Sequence, residues 1–217
     1  MSWLTKVPES IIQLFPDAIF WGTGFIALIT ISIPYAVFFV SMIESLFIYH
    51  ILNDINENVQ LITPNSLKSG RCKSGLEGVT LYSVKSILDS NFKATFLSYI
   101  IFMTSFIGTY IVGALLYLKD ELQILGKSYG EQFTTRMYGS VAFFSVMTFI
   151  TMSYRLLSSC DSALNIVVSL ILGISVGALI LLQNNNILGK NSLNMLGVPL
   201  LRKRTETGGN LYVCSPT

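Results

Sequence analysis

The sequence predicts an all-α membrane protein with four transmembrane helices, an amphipathic interfacial helix and a small C-terminal β-hairpin or extended tail. Charged residues are scarce: they make up 12% of 217 residues, and the mean hydropathy is +0.61. Globular domains carry about twice that charged share. The charges are also absent from several runs of 18 to 26 residues, each long enough to cross a hydrocarbon core about 30 Å thick as a helix. We therefore expect an integral, multi-pass membrane protein.

The most regular span is the fourth, predicted over 162–183, which includes the uncharged segment ALNIVVSLILGISVGALILL. Small and polar residues recur along it every four positions, at Asn165, Ser169, Gly173 and Gly177. This spacing places them on one stripe of a helix, and small side chains allow a second helix to approach closely in lipid. Asp161 or Ser159 is expected to cap the start of the helix.

The chain begins with a predicted interfacial segment over residues 1–17. A first span and its extension follow over 18–52, and the stretch from Ala18 to Ile43 carries no charge. Pro34 lies near the middle of that stretch and predicts a kink, because proline cannot supply the backbone N–H that an α-helix requires there. Residues 53–93 form the longest polar connection. Within it, helical spacing predicts an amphipathic helix at the membrane surface, through Val84, Ile87, Leu88 and Phe92.

The second span is predicted over 94–118, and Ser105, Thr109 and Gly113 form a small-residue stripe along it. We expect this stripe to pack against the stripe of the fourth span. A short loop over 119–136 leads to the third span, 137–155. That span and the fourth are predicted to form an antiparallel hairpin, because only a tight turn separates them.

The C-terminal tail, 184–217, is too apolar for a disordered segment. Residues 207–210, TGGN, are a turn signal between two short apolar stretches and predict the β-hairpin. The tail also carries the basic cluster Arg202, Lys203 and Arg204. We expect this cluster to contact the membrane surface or a partner protein, as basic residues beside a span commonly do.

Four spans place both termini on the same side of the membrane. Eight Lys and Arg residues lie on that side and six on the other, which favours the cytoplasm or an equivalent interior for the termini. Cys72 and Cys160 then lie opposite Cys214. Because the cysteines are odd in number and lack metal-ligand spacing, the sequence predicts no disulfide framework.

The sequence contains no nucleotide-binding loop, nucleophile elbow or paired-histidine zinc motif, and it has one histidine. No span carries a charged residue near its centre, which counts against an ion path or a proton relay. We therefore predict no enzyme activity, cofactor, metal or small-molecule substrate, and a net charge of +2 does not favour nucleic acid. The predicted partners are the lipid bilayer and other subunits of a larger assembly, in which the chain has a structural, scaffolding or tethering role. The alternative is a passive oligomeric channel lined by hydroxyl groups of the second and third spans.

Residues 194–202 read NMLGVPLLR and residues 211–214 read LYVC. These two segments resemble the tails of small multi-pass membrane proteins of large icosahedral DNA viruses that contain an internal membrane. The resemblance implies a minor capsid protein in the virion's internal membrane that links this membrane to the capsid shell. It assigns no functional residue.

Overall fold

In a computed structural model of the chain, the described residues are 3–59, 96–120, 122–123, 132–195, 200–203 and 210–213. The α-helices within them are α1 (Trp3–Thr30), α2 (Ile33–Val59), α3 (Tyr99–Tyr117), α4 (Gln132–Leu157) and α5 (Ala163–Leu188). A 3₁₀-helix (Lys190–Leu193) follows α5. The short strands β1 (Leu200–Lys203) and β2 (Asn210–Val213) pair antiparallel, with Leu200 opposite Val213.

Four helices contain a segment that is long and apolar enough to cross a membrane: Ile33–Asn56, Tyr99–Tyr117, Met137–Leu157 and Ala163–Leu188. Large apolar side chains remain exposed on the outward faces of these helices, as in Phe149 of α4 and Leu179 of α5. Such a surface suits hydrocarbon rather than water. The chain is thus an all-helical, multi-pass integral membrane protein, as the composition predicts.

Helix α3 lies at the centre of the bundle and packs against each of the other four helices. Its largest side chains, including Phe102, Phe106 and Tyr110, are fully buried. The contacts also give the helix directions. Tyr49 of α2 lies beside Leu97, and Phe38 of α2 stacks on Tyr110, so α2 is antiparallel to α3.

The predicted first span is wrong as a single helix. The chain breaks at Ile31–Ser32 and reverses, so that α1 packs antiparallel against α2, and Gly24 of α1 lies against the ring of Phe39. Ile31 has a φ of 49°, in the left-handed region, which an α-helix cannot continue through. Pro34 lies in the first turn of α2, where its missing N–H leaves no helical hydrogen bond unmade. It therefore helps to begin a helix and does not kink one.

This reversal changes the expected course of the N-terminal segment. Because α1 runs back along α2, it extends toward the end of the bundle where α3 begins, whereas α5 ends at the opposite end. The four-span arithmetic that placed both termini on one side does not hold for the start of α1. The predicted interfacial segment 1–17 belongs to this helix, whose backbone is described from Trp3 onward.

The later predicted spans 94–118, 137–155 and 162–183 each overlap one helix, α3, α4 and α5 respectively. Helix α5 continues past Asn184 to Leu188, and Gly189 follows it with a φ of 75°. The first residues of the tail stay with the bundle, because the hydroxyl of Tyr35 donates a 3.1 Å hydrogen bond to the carbonyl of Met195. The amphipathic helix predicted within 53–93 lies outside the described residues.

Candidate functional site

The closest approach between helices joins α3 and α5, which run parallel. At Gly173, an added Cβ would lie 2.5 Å from the carbonyl oxygen of Phe102. At Gly177, four residues later, it would lie 3.0 Å from the carbonyl oxygen of Phe106. Since both neighbours are backbone atoms, they cannot rotate away as a side chain would. Glycine is therefore the residue that permits this separation of the helices.

The hydroxyl residues of the predicted stripes lie along the same contact. Ser105 packs at Gly173 and Thr109 packs at Gly177. The Ser105 hydroxyl donates to the carbonyl of Ile101 in its own helix, at 2.8 Å. In lipid, such a bond satisfies the hydroxyl without water. Gly113 extends the contact by two turns, and its nearest neighbour is the side chain of Leu181.

Ser169 connects the two helices by hydrogen bonds. Its Oγ accepts a 2.7 Å bond from the backbone N–H of Ser98, which precedes α3, and donates a 2.6 Å bond to the carbonyl of Asn165. The first N–H groups of a helix have no partner within the helix, so Ser169 satisfies one of them from a neighbouring helix. Asn165 is buried one turn earlier on the same stripe.

A second polar contact, which was not predicted from the sequence, joins three helices. Nδ2 of Asn184 in α5 donates to Oγ of Ser41 in α2 at 2.7 Å and to the hydroxyl oxygen of Tyr110 in α3 at 2.9 Å. All three side chains are buried. Asn184 directly follows the predicted end of the fourth span. Its position seven residues after Gly177 was the available signal, because that spacing returns to the same helix face.

Asp17 of α1 is buried near the end of the bundle where α3 begins. Its Oδ1 accepts a 2.9 Å hydrogen bond from the hydroxyl of Tyr99, and its Oδ2 is buried without a hydrogen-bond partner among the described residues. Burial raises the pKa of this carboxyl group to about 6, although the bond from Tyr99 acts to lower it. In the sequence, Asp17 marks only the boundary of the predicted first span.

The turn between α4 and α5 is held by an ion pair rather than by the predicted cap. Nε of Arg155 donates to Oδ2 of Asp161 at 2.6 Å, and both side chains are buried. The N-cap of α5 is Ser162, whose hydroxyl accepts from the N–H of Asn165. Asp161 and Ser159 were expected in that role. The expectation was wrong because Asp161 pairs with Arg155, while Ser159 lies three residues too early.

Cys160 lies buried in the same turn and is disulfide-bonded. This corrects the expectation that the odd number of cysteines indicates no disulfide. Among the described residues, no group of three His, Cys, Asp or Glu side chains could hold a metal ion. The side chains of the basic cluster Arg202, Lys203 and Arg204 lie outside the described part of the chain, so its predicted contacts stay a prediction.

The arrangement holds helices together and provides no assembled catalytic group within the described ranges. Its polar side chains contact one another or the backbone, and they join α1 to α3, α2 to α5, and α3 to α5. Comparisons of the chain with protein-family models, curated proteins and solved structures found no match.

Proposed function

We propose that the chain is a structural membrane protein that scaffolds or tethers the components of a larger assembly. The observation that carries the proposal is the use of buried polar groups for helix contacts. Asn184 joins α2, α3 and α5, and Ser169 joins α3 and α5. A bundle whose polar groups bond internally is suited to rigidity, since no buried group needs water or solute.

The same observation argues against the alternative of a passive channel. Such a channel needs hydroxyl groups that face a lumen, and the expected donors were those of the second and third spans. In α4, however, Thr148 and Thr151 donate to carbonyls one turn earlier in their own helix. In and beside α3, the buried hydroxyls without a described partner are those of Ser98 and Thr104. Two hydroxyls are too few to line a path across the membrane.

A narrower form of the proposal concerns the kind of assembly. The resemblance of residues 194–202 and 211–214 to tails of virion membrane proteins supports a minor capsid protein that links an internal membrane to a capsid shell. The basic cluster Arg202, Lys203 and Arg204 supports contact with anionic headgroups or with a partner, because basic residues beside a span are attracted to both. The partner face is then the tail rather than the bundle.

Site-specific photo-crosslinking tests the tethering role. A photoreactive residue at Lys203 in the tail is expected to form adducts with other proteins in membranes of the native source. The matched control is the same residue at Leu179, which is 64% exposed on the outward face of α5 and is expected to label lipid. Labelling of lipid alone at both positions would contradict the proposal.

Conductance measurements test the alternative. The full chain, reconstituted in planar bilayers, is expected to conduct no more than a protein-free bilayer under the same voltage. A unitary conductance that changes when Thr148 is replaced by valine would overturn the structural proposal in favour of the channel. Valine is the matched replacement, because it keeps the shape of threonine and removes the hydroxyl.

A further inference from the structure

The disulfide at Cys160 must involve Cys72 or Cys214, because the chain has three cysteines. Neither candidate lies among the described residues. The described helices nevertheless fix the two ends of each segment that carries a candidate, and the maximum length of a chain segment limits which cysteine can reach Cys160.

Cys160 lies at the end of the bundle where α2 finishes and α3 begins. Ser162 caps α5 three residues before Asn165, and Ser169, one turn further on, bonds the backbone of Ser98. On α2, the hydroxyl of Tyr49 donates to the carbonyl of Leu97 at 3.1 Å. The segment that contains Cys72 leaves α2 after Val59 and returns at Phe96, so it begins and finishes at the same end as Cys160.

Cys214 belongs to a segment that leaves the bundle at the opposite end. Helix α5 has 26 residues, which span about 39 Å at 1.5 Å per residue. Beyond it, Met195 is held by Tyr35 near the start of α2. Leu200 pairs with Val213, so the hairpin brings the chain back to within about 5 Å of its own start. Cys214 can therefore lie no more than about 30 Å from Met195, which is short of Cys160.

We propose that Cys160 forms its disulfide with Cys72, and that this end of the bundle faces an oxidising compartment. The bond attaches the 60–95 segment to the turn between α4 and α5, beside the ion pair of Arg155 and Asp161. Two thiols lose two protons and two electrons, which pass to the disulfide of a thiol oxidoreductase and reduce it to a dithiol. Disulfides that persist form mainly outside the reducing cytosol.

The disulfide assigns an orientation that charge does not. The bias of eight to six basic residues counted Lys6 on the side of the tail. Because α1 runs back along α2, Lys6 moves to the other side, and eight minus one equals six plus one, or seven on each. The charges therefore favour neither orientation. The disulfide instead places the 60–95 segment in the oxidising compartment and the C-terminal tail on the cytosolic side.

Thiol counting tests the pairing. The full chain is inserted into sealed endoplasmic-reticulum microsomes, quenched with acid, denatured, and reacted with a polyethylene-glycol maleimide of 5 kDa. The unreduced wild-type chain is expected to gain one adduct, on Cys214, and three after reduction. The variant Cys214→Ser is expected to gain none before reduction, and Cys72→Ser is expected to gain two.

Other patterns would overturn the pairing. A disulfide between Cys160 and Cys214 would give two adducts on unreduced Cys214→Ser and none on Cys72→Ser. Three adducts on the unreduced wild-type chain would mean that no disulfide forms, and a band at twice the chain mass on a non-reducing gel would mean an intermolecular bond. Since Cys214→Ser changes a residue outside the proposed pair, its result does not depend on whether the disulfide is needed for folding.

Protease protection tests the orientation on the same microsomes. An epitope tag placed after Thr217 is expected to be removed by protease added outside intact microsomes. A tag that is digested only after detergent opens the vesicles would place the tail in the oxidising lumen and contradict the proposed orientation. The two measurements are independent of the tethering role, which crosslinking at Lys203 tests separately.

Discussion

At the scale of single residues, the glycines of α5 differ in what surrounds them, and this difference predicts a graded response to alanine. The Cβ of alanine would lie 2.5 Å from a backbone oxygen at Gly173 and 3.0 Å from one at Gly177, whereas at Gly139 in α4 no described atom lies within 4 Å. Steric overpacking of a helix contact costs about 1–3 kcal/mol. Alanine in place of glycine gains up to about 1 kcal/mol in helix propensity.

We therefore expect Gly173→Ala to lower the free energy of unfolding most, Gly177→Ala to lower it less, and Gly139→Ala to leave it unchanged or raise it. Thermal unfolding in a mild detergent measures the order, and the exposed Gly139 supplies the control for propensity. Equal effects at all three positions would mean that α3 and α5 do not approach as closely as described.

Asn184 contributes to stability through two bonds in a setting without water. Replacing it by leucine removes both hydrogen bonds and leaves the hydroxyls of Ser41 and Tyr110 buried, although Ser41 keeps its 2.8 Å bond to Val37. Interhelical hydrogen bonds in membranes contribute about 0.6–1.7 kcal/mol. We expect Asn184→Leu to lower stability by about 1–2 kcal/mol, and the same change to be much smaller when Tyr110 is already phenylalanine. This double-mutant cycle, measured by detergent unfolding, contradicts the bond if the two effects simply add.

Asp17 makes stability depend on pH. Its pKa of about 6 in the folded chain lies above the usual value of 3.8, so the folded chain binds the proton more tightly than the unfolded chain does. Stability is then highest below about pH 4, falls as the pH rises to about 6, and stays lower above that. In Asp17→Asn this decline disappears, because asparagine can accept from Tyr99 without a charge.

Melting temperatures of Asp17→Asn and the wild-type chain are therefore expected to diverge between pH 4 and pH 8, with the variant higher at pH 8. Asp54→Asn is the control, since Asp54 is exposed on α2 and its replacement is expected to keep the wild-type slope. A variant of Asp17 that declines with pH as the wild type does would show that another group is responsible.

At the scale of elements, the reversal between α1 and α2 shows what periodicity and hydropathy leave out. The segment Thr30-Ile31-Ser32-Ile33-Pro34 contains neither glycine nor asparagine, the residues that most readily adopt positive φ. Its apolar residues made the run look continuous. By contrast, the positions of Gly173 and Gly177 on one stripe could be predicted, because a four-residue spacing is a property of any α-helix.

Ile31 is the residue at which this element is strained. A β-branched residue at a φ of 49° is about 1–2 kcal/mol less favourable than glycine there, and its side chain is 88% exposed, so little packing is lost on its removal. We expect Ile31→Gly to raise stability in detergent by about 0.5–1 kcal/mol, after the added freedom of the unfolded chain is counted.

The neighbouring helical position serves as the control for this substitution. Ile33 begins α2 and is 69% exposed, so Ile33→Gly removes a similar side chain but places glycine in a helix. It is expected to lower stability by up to about 1 kcal/mol. A loss of stability in both variants would indicate that the break at Ile31 is not left-handed.

At the scale of the whole molecule, composition was enough to predict helices that cross a membrane, because uncharged apolar runs of some 20 residues are typical of membrane spans and rare in soluble domains. The contacts that close the bundle were not predictable in the same way. Asn184 and Ser41 are 143 positions apart, and nothing local in either segment indicates the other. The pairing of Arg155 with Asp161 likewise depends on how tightly the turn closes.

The membrane environment itself gives the last prediction, because an outward-facing residue responds to lysine differently in lipid and in water. Ile171, near the middle of the apolar part of α5, is 56% exposed, and Ile187, beyond Asn184, is 72% exposed. In water, lysine at either position would be tolerated. In a bilayer, a lysine at the centre of a span costs about 2.5–3.5 kcal/mol, whereas one near the end reaches the interface. We expect Ile171→Lys to lower the fraction of chain that resists alkaline carbonate extraction from microsomes, and Ile187→Lys to leave it unchanged. Equal extraction of both variants and the wild-type chain would mean that the outward face of α5 does not contact lipid.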